Sequence, residues 1–215
     1  MAEFQAIVVE IGSAEFSQYE RLLGLITRHR RESILRKKSE SDKLLSLTAG
    51  LLLMTELSSR EKISPSKIAF SHGAHGKPFL MGSDLQFSLS HTRGAVCAAF
   101  ARGAEIGVDI ESCGRRISDR VIERAFCEEE RSAAASREDY IKMWVCKEAF
   151  LKRLGIGVTT DLRGVNTLIL PDTVSVQRGE FLLGLSGAGA DCAEIRSVTM
   201  QQLAEKAEEL RTVSL

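Results

Sequence analysis

An α+β fold is predicted by three observations. Helical and strand-like blocks are mixed along the 215 residues with no βαβ rhythm. The stretch "LQFSLS" (85–90) alternates Leu85, Phe87 and Leu89 with Gln86, Ser88 and Ser90, the pattern of a half-buried strand. The links "HTRG" and "RGAE" that follow are short, which favours an antiparallel meander.

In chain order, "FQAIVVEI" (4–11) is rich in β-branched residues and reads as a first strand. A helical pattern runs over 15–38, restarts at Ser41 and continues to Leu57. Pro65 closes it, and "KIAFSHGAHGKPFL" holds a short strand and a turn built on Gly73, Gly76 and Pro78. Strands follow at 85–90, at "AVCAAFA" (95–101) and at "IGVDIE" (106–111), the third member of the expected meander. "SDRVIERAF" (118–126) is helical and "CEEERSAAA" continues the tendency, while "EDYIKMWVCKEAFLKRLG" (138–155) gives the strongest helix, stopped by Gly155. From Val158 onward short strands such as "DTVSVQ" alternate with turns, and "TMQQLAEKAEEL" closes as a helix.

With 44% hydrophobic residues the chain can bury a sizeable core. Its formal net charge is zero, which argues against a protein that coats nucleic acid but not against a local basic site. The five cysteines, odd in number and without CxxC spacing, read as reduced thiols, neither a disulfide frame nor a zinc site. No signal peptide is apparent, and the longest apolar run, 47–54, is too short to span a bilayer. A cytoplasmic protein without a membrane partner is expected.

Four features carry candidate chemistry. In "IGVDIES" (106–112) strand alternation puts Asp109 and Glu111 on one face, about 7 Å apart, and Val108 and Ile110 on the other. Such a pair is either an exposed or salt-bridged rim or a site for a hard cation such as Mg²⁺. In the long helix Ile141, Trp144, Val145 and Leu151 form a stripe that also contains Glu148, with Lys152 four residues on. A surface Glu–Lys pair would contribute about 0.3 kcal/mol, but on the inward face a third carboxylate calls for a cation. A basic run holds Arg28, Arg30, Arg31, Arg36, Lys37 and Lys38, suited to solvent, to nucleic acid or to a phosphate-bearing small molecule. Finally "HGKPF" (75–79) and "SHTRG" (90–94) offer turn groups, Lys77, Ser90 and His91. Neither GxxxxGK[ST] nor GxGxxG occurs, so the common nucleotide loops are excluded.

Taken in order, "GKP", "FSLSH", "GVDIE", "FCEEER" and "WVCKEAFLKRLGIG" closely resemble the 4′-phosphopantetheinyl transferases of the surfactin-synthetase type, over roughly residues 27–205. The resemblance implies two similar α+β halves in a pseudo-twofold arrangement, antiparallel strands with packed helices, and an active site at the interface. One half would span 1–102 with the coenzyme A-binding elements, the other 103–215 with the metal site and catalytic helix. It implies transfer of the phosphopantetheine arm of coenzyme A to a serine of an apo acyl, peptidyl or aryl carrier, with release of adenosine 3′,5′-bisphosphate. Asp109, Glu111 and Glu148 would hold Mg²⁺, with Mn²⁺ as a substitute; Glu148 would help remove the serine proton, directly or through a metal-bound water. Lys152 would neutralise the pyrophosphate, with Lys147 a weaker helper. Ser90 and His91 match the contacts to coenzyme A phosphates, and Gly76, Lys77 and Pro78 match the turn beside the adenine and its 3′-phosphate. Trp144 is expected to anchor packing. A chain of this type can work as a monomer, and no nucleic-acid partner is expected.

One departure concerns the 3′-phosphate, where Leu45 stands at a position the family commonly gives to arginine. Lys43 lies about 200° round the helix and cannot substitute, so Arg30 or Arg31 is expected to take that contact. A Mg²⁺-dependent nuclease is the enzymatic rival, and it would show strongly salt-dependent nucleic-acid binding. A non-catalytic carrier-binding module is the rival of another class, and intact Asp109, Glu111, Glu148 and Lys152 speak against it.

Overall fold

The first strand, β1 (Gln5–Glu10), divides its side chains by parity. Ile7 and Val9 enter one core, Ala6 and Val8 another. The structure is a computed structural model that describes residues 3–157 and 161–213, so the strand pattern expected to begin at Val158 starts outside the described residues.

The helical stretch expected over 15–38 is broken into α1 (Phe16–Tyr19), a 3₁₀ turn at Glu20–Leu25 and α2 (Arg28–Leu35). Thr27 explains the last break: its backbone is extended and its hydroxyl caps the amide of Arg30, which starts a new helix. Ser39 does the same for α3 (Glu40–Glu61), a little before the expected restart. β2 (Phe70–His72) and β3 (Pro78–Leu80) make a small hairpin across the glycine-rich turn. β4 (Leu85–Thr92) and β5 (Ala95–Arg102) pair as expected, although the turn is tighter than "HTRG". His91 and Thr92 stay in the ladder opposite Val96 and Ala95, and Gly94 turns the chain at φ +89.

The expected meander is corrected at β6 (Gly107–Ser112). β5 already has β4 on one edge and β1 on the other, so no ladder position remains beside it. β6 instead starts a second sheet. The intervening helices are α4 (Asp119–Ala125), α5 (Glu128–Ala133) and α6 (Arg137–Leu154), and Gly155 ends α6 in the left-handed conformation as predicted. β7 (Thr173–Arg178) and β8 (Phe181–Ser186) complete that sheet in the order β6-β8-β7. β9 (Glu194–Thr199) then returns to the first sheet, parallel to β1, and α7 (Met200–Val213) packs its Met200, Leu203, Ala204 and Ala207 into the α3 core. The first sheet therefore runs β4-β5-β1-β9.

The two halves repeat one plan: a strand (β1, β6), helices ending in a long one (α3, α6), then a hairpin whose second strand pairs with the first. Fold class and paired halves thus agree with expectation. The division by residue number, 1–102 against 103–215, is crossed by β9 and α7, which belong to the first half.

The sheets stack face to face between α3 and α6. The inner face of β5 carries only Ala95, Cys97, Ala99 and Ala101, small enough to let Val108, Ile110, Leu183 and Leu185 of the second sheet settle against it. Among the described residues no helix is long and apolar enough to cross a membrane, and all five cysteines are unpaired.

Candidate active site

The site forms where α6 lies directly on the second sheet. Gly107 on β6 and Gly184 on β8 face the helix, and a β-carbon at either would run into its backbone at Ala149 or Val145. Asp109 pairs across the ladder with Gly184 and shares the face of Gly107, so it too looks at α6. Close seating brings Lys152 Nζ to 2.6 Å from Asp109 Oδ1. Val108 and Ile110 point into the inter-sheet core, as alternation predicts.

The free edge of β6 rests on one polar face of β4. Ser88 Oγ accepts the Val108 amide at 3.0 Å, Ser90 Oγ donates to Asp109 Oδ1 at 2.6 Å, and Thr92 Oγ1 donates to Glu111 Oε2 at 3.0 Å. Lys152 also donates to Ser90 Oγ at 2.8 Å. Three residues spaced by two thus join the halves at the site.

The three carboxylates differ in their partners. Asp109 is buried and held by Ser90 and Lys152. Glu111 has Thr92 on one oxygen and the Arg115 guanidinium on the other, and burial raises its carboxyl above the usual range, with Arg115 opposing. Glu148 is half-buried with no hydrogen-bond partner among the described residues. Burial first, then the charge of Asp109, pushes its carboxyl up, while Lys152 and Arg115 pull it down. Oxygen donors of this kind suit a hard divalent cation. As the side chains stand, the described residues form no cluster of three metal-ligating groups, and Lys152 and Arg115 supply the positive charge.

A trough leads away from Lys152. A pocket of about 220 Å³ is lined by His75, Gly76, Lys77, Pro78, Ser88 and Lys152, among others. One of about 420 Å³ takes in His29, Arg30, Phe70 and His72, and both include Pro78 and Leu89. The Arg30 stem crosses α3 at Gly50, where a β-carbon would come within 2.7 Å of Cδ. His91 points to the opposite side of β4 from Ser90. Partial burial, then the charges of Lys152 and Lys37, lowers its pKa from the ordinary value, with Arg30 adding a smaller push. Arg31, about 100° further round α2 than Arg30, is exposed. Leu45 is buried in the first core and offers no charge.

Two lysines are placed otherwise than expected. The Lys77 ammonium, expected beside a phosphate, donates to the carbonyls of Ile106 at 3.1 Å and Arg153 at 2.9 Å, clamping its turn to the C-terminal end of α6. Lys147, expected to help bind the cofactor, is fully buried. It pairs with Glu130 at 2.7 Å and donates to the carbonyls of Leu162 and Val165. One residue of helix turns it about 100° away from Glu148, and Glu130 is in turn satisfied by Thr167 and the Cys127 amide. Lys147 is a structural cation here. Thr92, Arg115 and Glu130 were not expected in these roles. The parity of Ser88 and Ser90 pointed to Thr92, and the four-residue spacing from Glu111 pointed to Arg115.

Two α+β halves with a carboxylate–lysine centre at their seam and a trough running from it define the class of protein. Residues 105–199 match the family model of the 4′-phosphopantetheinyl transferase superfamily, and residues 13–102 match that of the 4′-phosphopantetheinyl transferase N-terminal region. The chain is 30% identical over 151 residues to 4′-phosphopantetheinyl transferase Sfp of Bacillus subtilis strain 168, covering 66% of each chain. A 4′-phosphopantetheinyl transferase of Bacillus subtilis is 27% identical over 161 residues, 71% of this chain and 70% of its own. 4′-phosphopantetheinyl transferase HetI of Nostoc is 32% identical over 108 residues, 45% of each. The chain spans about two thirds of the length of the two Bacillus relatives. The chain belongs to the 4′-phosphopantetheinyl transferase superfamily, of the Sfp-like type, and is a transferase of that kind.

Proposed function

We propose that this chain moves the 4′-phosphopantetheine arm of coenzyme A onto a serine of an apo carrier protein and releases adenosine 3′,5′-bisphosphate. The observation that carries this reading is the centre of Asp109, Glu148 and Lys152, whose lysine lines one of two pockets that share Pro78 and Leu89, with Arg30 lining the other. Family membership supports phosphopantetheinyl transfer. Asp109, Glu111 and Glu148 would hold Mg²⁺, with Mn²⁺ able to replace it. When bound, that ion supplies charge neutralisation for two phosphates.

The chain's own groups do the rest. Lys152 neutralises charge on the pyrophosphate oxygens, a role its 2.6 Å contact with Asp109 keeps it aimed for. Glu148, whose carboxylate has no hydrogen-bond partner among the described residues and whose carboxyl pKa is raised by burial, takes the proton of the carrier serine. Arg30, whose stem crosses α3 at Gly50 and which lines the second pocket, meets the 3′-phosphate in place of a residue at Leu45. Phosphoryl chemistry of this kind rests on positioning and charge more than on covalent help.

The test mixes the chain with Mg²⁺, a panel of apo acyl, peptidyl and aryl carriers, and either coenzyme A or dephospho-coenzyme A, followed by intact mass. Addition of the arm to at least one carrier is expected, faster from coenzyme A, and Asp109→Ala and Glu148→Ala each abolish it while remaining folded. No addition to any carrier, with nuclease activity instead, overturns the reading. Equal rates from both donors remove Arg30 from it.

A further inference from the structure

Glu111 is the one carboxylate of the centre whose two oxygens are both engaged, Oε2 by Thr92 at 3.0 Å and Oε1 by Arg115. Arg115 is itself held from a second side. Its guanidinium lies over the ring of Trp144, 4.6 Å from the centroid. Trp144 stands one turn before Glu148 on α6, so the stack ties the arginine to the same helix that carries the other half of the site.

Charge explains why an arginine belongs there. Asp109, Glu111 and Glu148 sum to a formal −3, which Lys152 and Arg115 reduce to −1. A divalent ion added beside them would turn the centre positive, and the guanidinium would then compete with the ion for Glu111. Arg115 follows Gly114 in the turn after β6 and is partly exposed, so it can leave Glu111 while its flat face keeps contact with the indole.

We propose that Arg115 is a built-in counter-ion that holds Glu111 until a divalent ion arrives, and that Trp144 is the platform that retains the displaced guanidinium. This rests on the reading that Asp109, Glu111 and Glu148 take such an ion. It gives Trp144 a task at the site beyond packing, and it makes divalent-ion affinity in the absence of coenzyme A weaker than three carboxylates alone would give.

The chain has a single tryptophan, so intrinsic emission reports on Trp144 alone. The full chain without coenzyme A is titrated with Mn²⁺, with binding followed by the resonance signal of free Mn²⁺ and by tryptophan emission. In the parent, emission is expected to change in step with binding. Arg115→Gln is expected to bind Mn²⁺ about fivefold tighter, from loss of a partly exposed competitor, and to lose most of the emission change. Arg115→Lys, which keeps the charge without the flat guanidinium, is expected to fall between them. Equal Mn²⁺ affinity in all three proteins, with the emission change retained, overturns the counter-ion role and leaves the metal reading standing. Failure of every variant to bind Mn²⁺ overturns both.

Discussion

Gly107→Ala tests whether α6 is set by the glycines beneath it. A β-carbon at Gly107 would stand 2.5 Å from the Arg153 amide nitrogen, and closer to the Ala149 carbonyl, where ordinary contact begins at 3.4 Å. Both neighbours are helix backbone, so no side chain can swing aside. The helix must retreat by about 1 Å, or β6 must bend away from it, and overpacking of this kind costs about 1–3 kcal/mol. Glu148 and Lys152 travel with the helix. A misplacement of about 1 Å at reacting groups costs on the order of 10²-fold in rate, so activity should fall much further than stability. Urea unfolding measures the first loss, and carrier loading read by intact mass measures the second. Gly114→Ala is the control, because its β-carbon would meet only Ser112 Oγ at 3.6 Å. It should stay within about 0.5 kcal/mol of the parent. A Gly107→Ala protein as stable and as active as that control would refute the claim that glycine seating sets the site.

Two further outcomes follow from the charges. The Glu148 carboxyl is raised by burial and by Asp109, so its charged form is disfavoured by the fold. That penalty is complete above the folded pKa and disappears below the ordinary glutamate range, where the group is protonated folded or unfolded. Glu148→Gln should therefore raise the melting temperature at pH 7.5 by about 2 °C, and the gain should vanish on acidification toward pH 4. A gain that grew with acid would have the wrong sign. Lys147→Met leaves Glu130 buried without its cation and should cost about 3–5 kcal/mol in urea unfolding, and adding Glu130→Leu should recover a substantial part.

Local patterns made several parts of this molecule legible. Alternation located β4 and the two faces of β6, and the left-handed glycine after the last helical turn located the end of α6. Inward carboxylates on a strand and a helix were enough to bring Asp109 and Glu148 under suspicion before any geometry. What escaped was set by distant chain. Nothing near residue 107 says that β1 already occupies the edge of β5, so β6 was read into the wrong sheet. Lys147 lies off the apolar stripe and is a weaker pyrophosphate helper by resemblance, yet Glu130 comes from another helix to pair with it in full burial. Lys77 was read by its turn, whereas its ammonium is placed by carbonyls 29 and 76 residues away. Short-range periodicity carries faces and ends, and partner choice between elements lies beyond its reach.

The return of β9 to the first sheet has a consequence for how the chain comes together during synthesis. Gln5 waits for Glu194 as its parallel neighbour, a separation close to the whole length of the molecule. Until residues 194–199 have left the ribosome, β1 has one unpaired edge, and the apolar side of α3 lacks Met200, Leu203 and Ala207. The first half to be made is thus the last to be finished. In sequence the second half is an insertion between two strands that pair directly, so both of its ends are tied to the sheet of the first half.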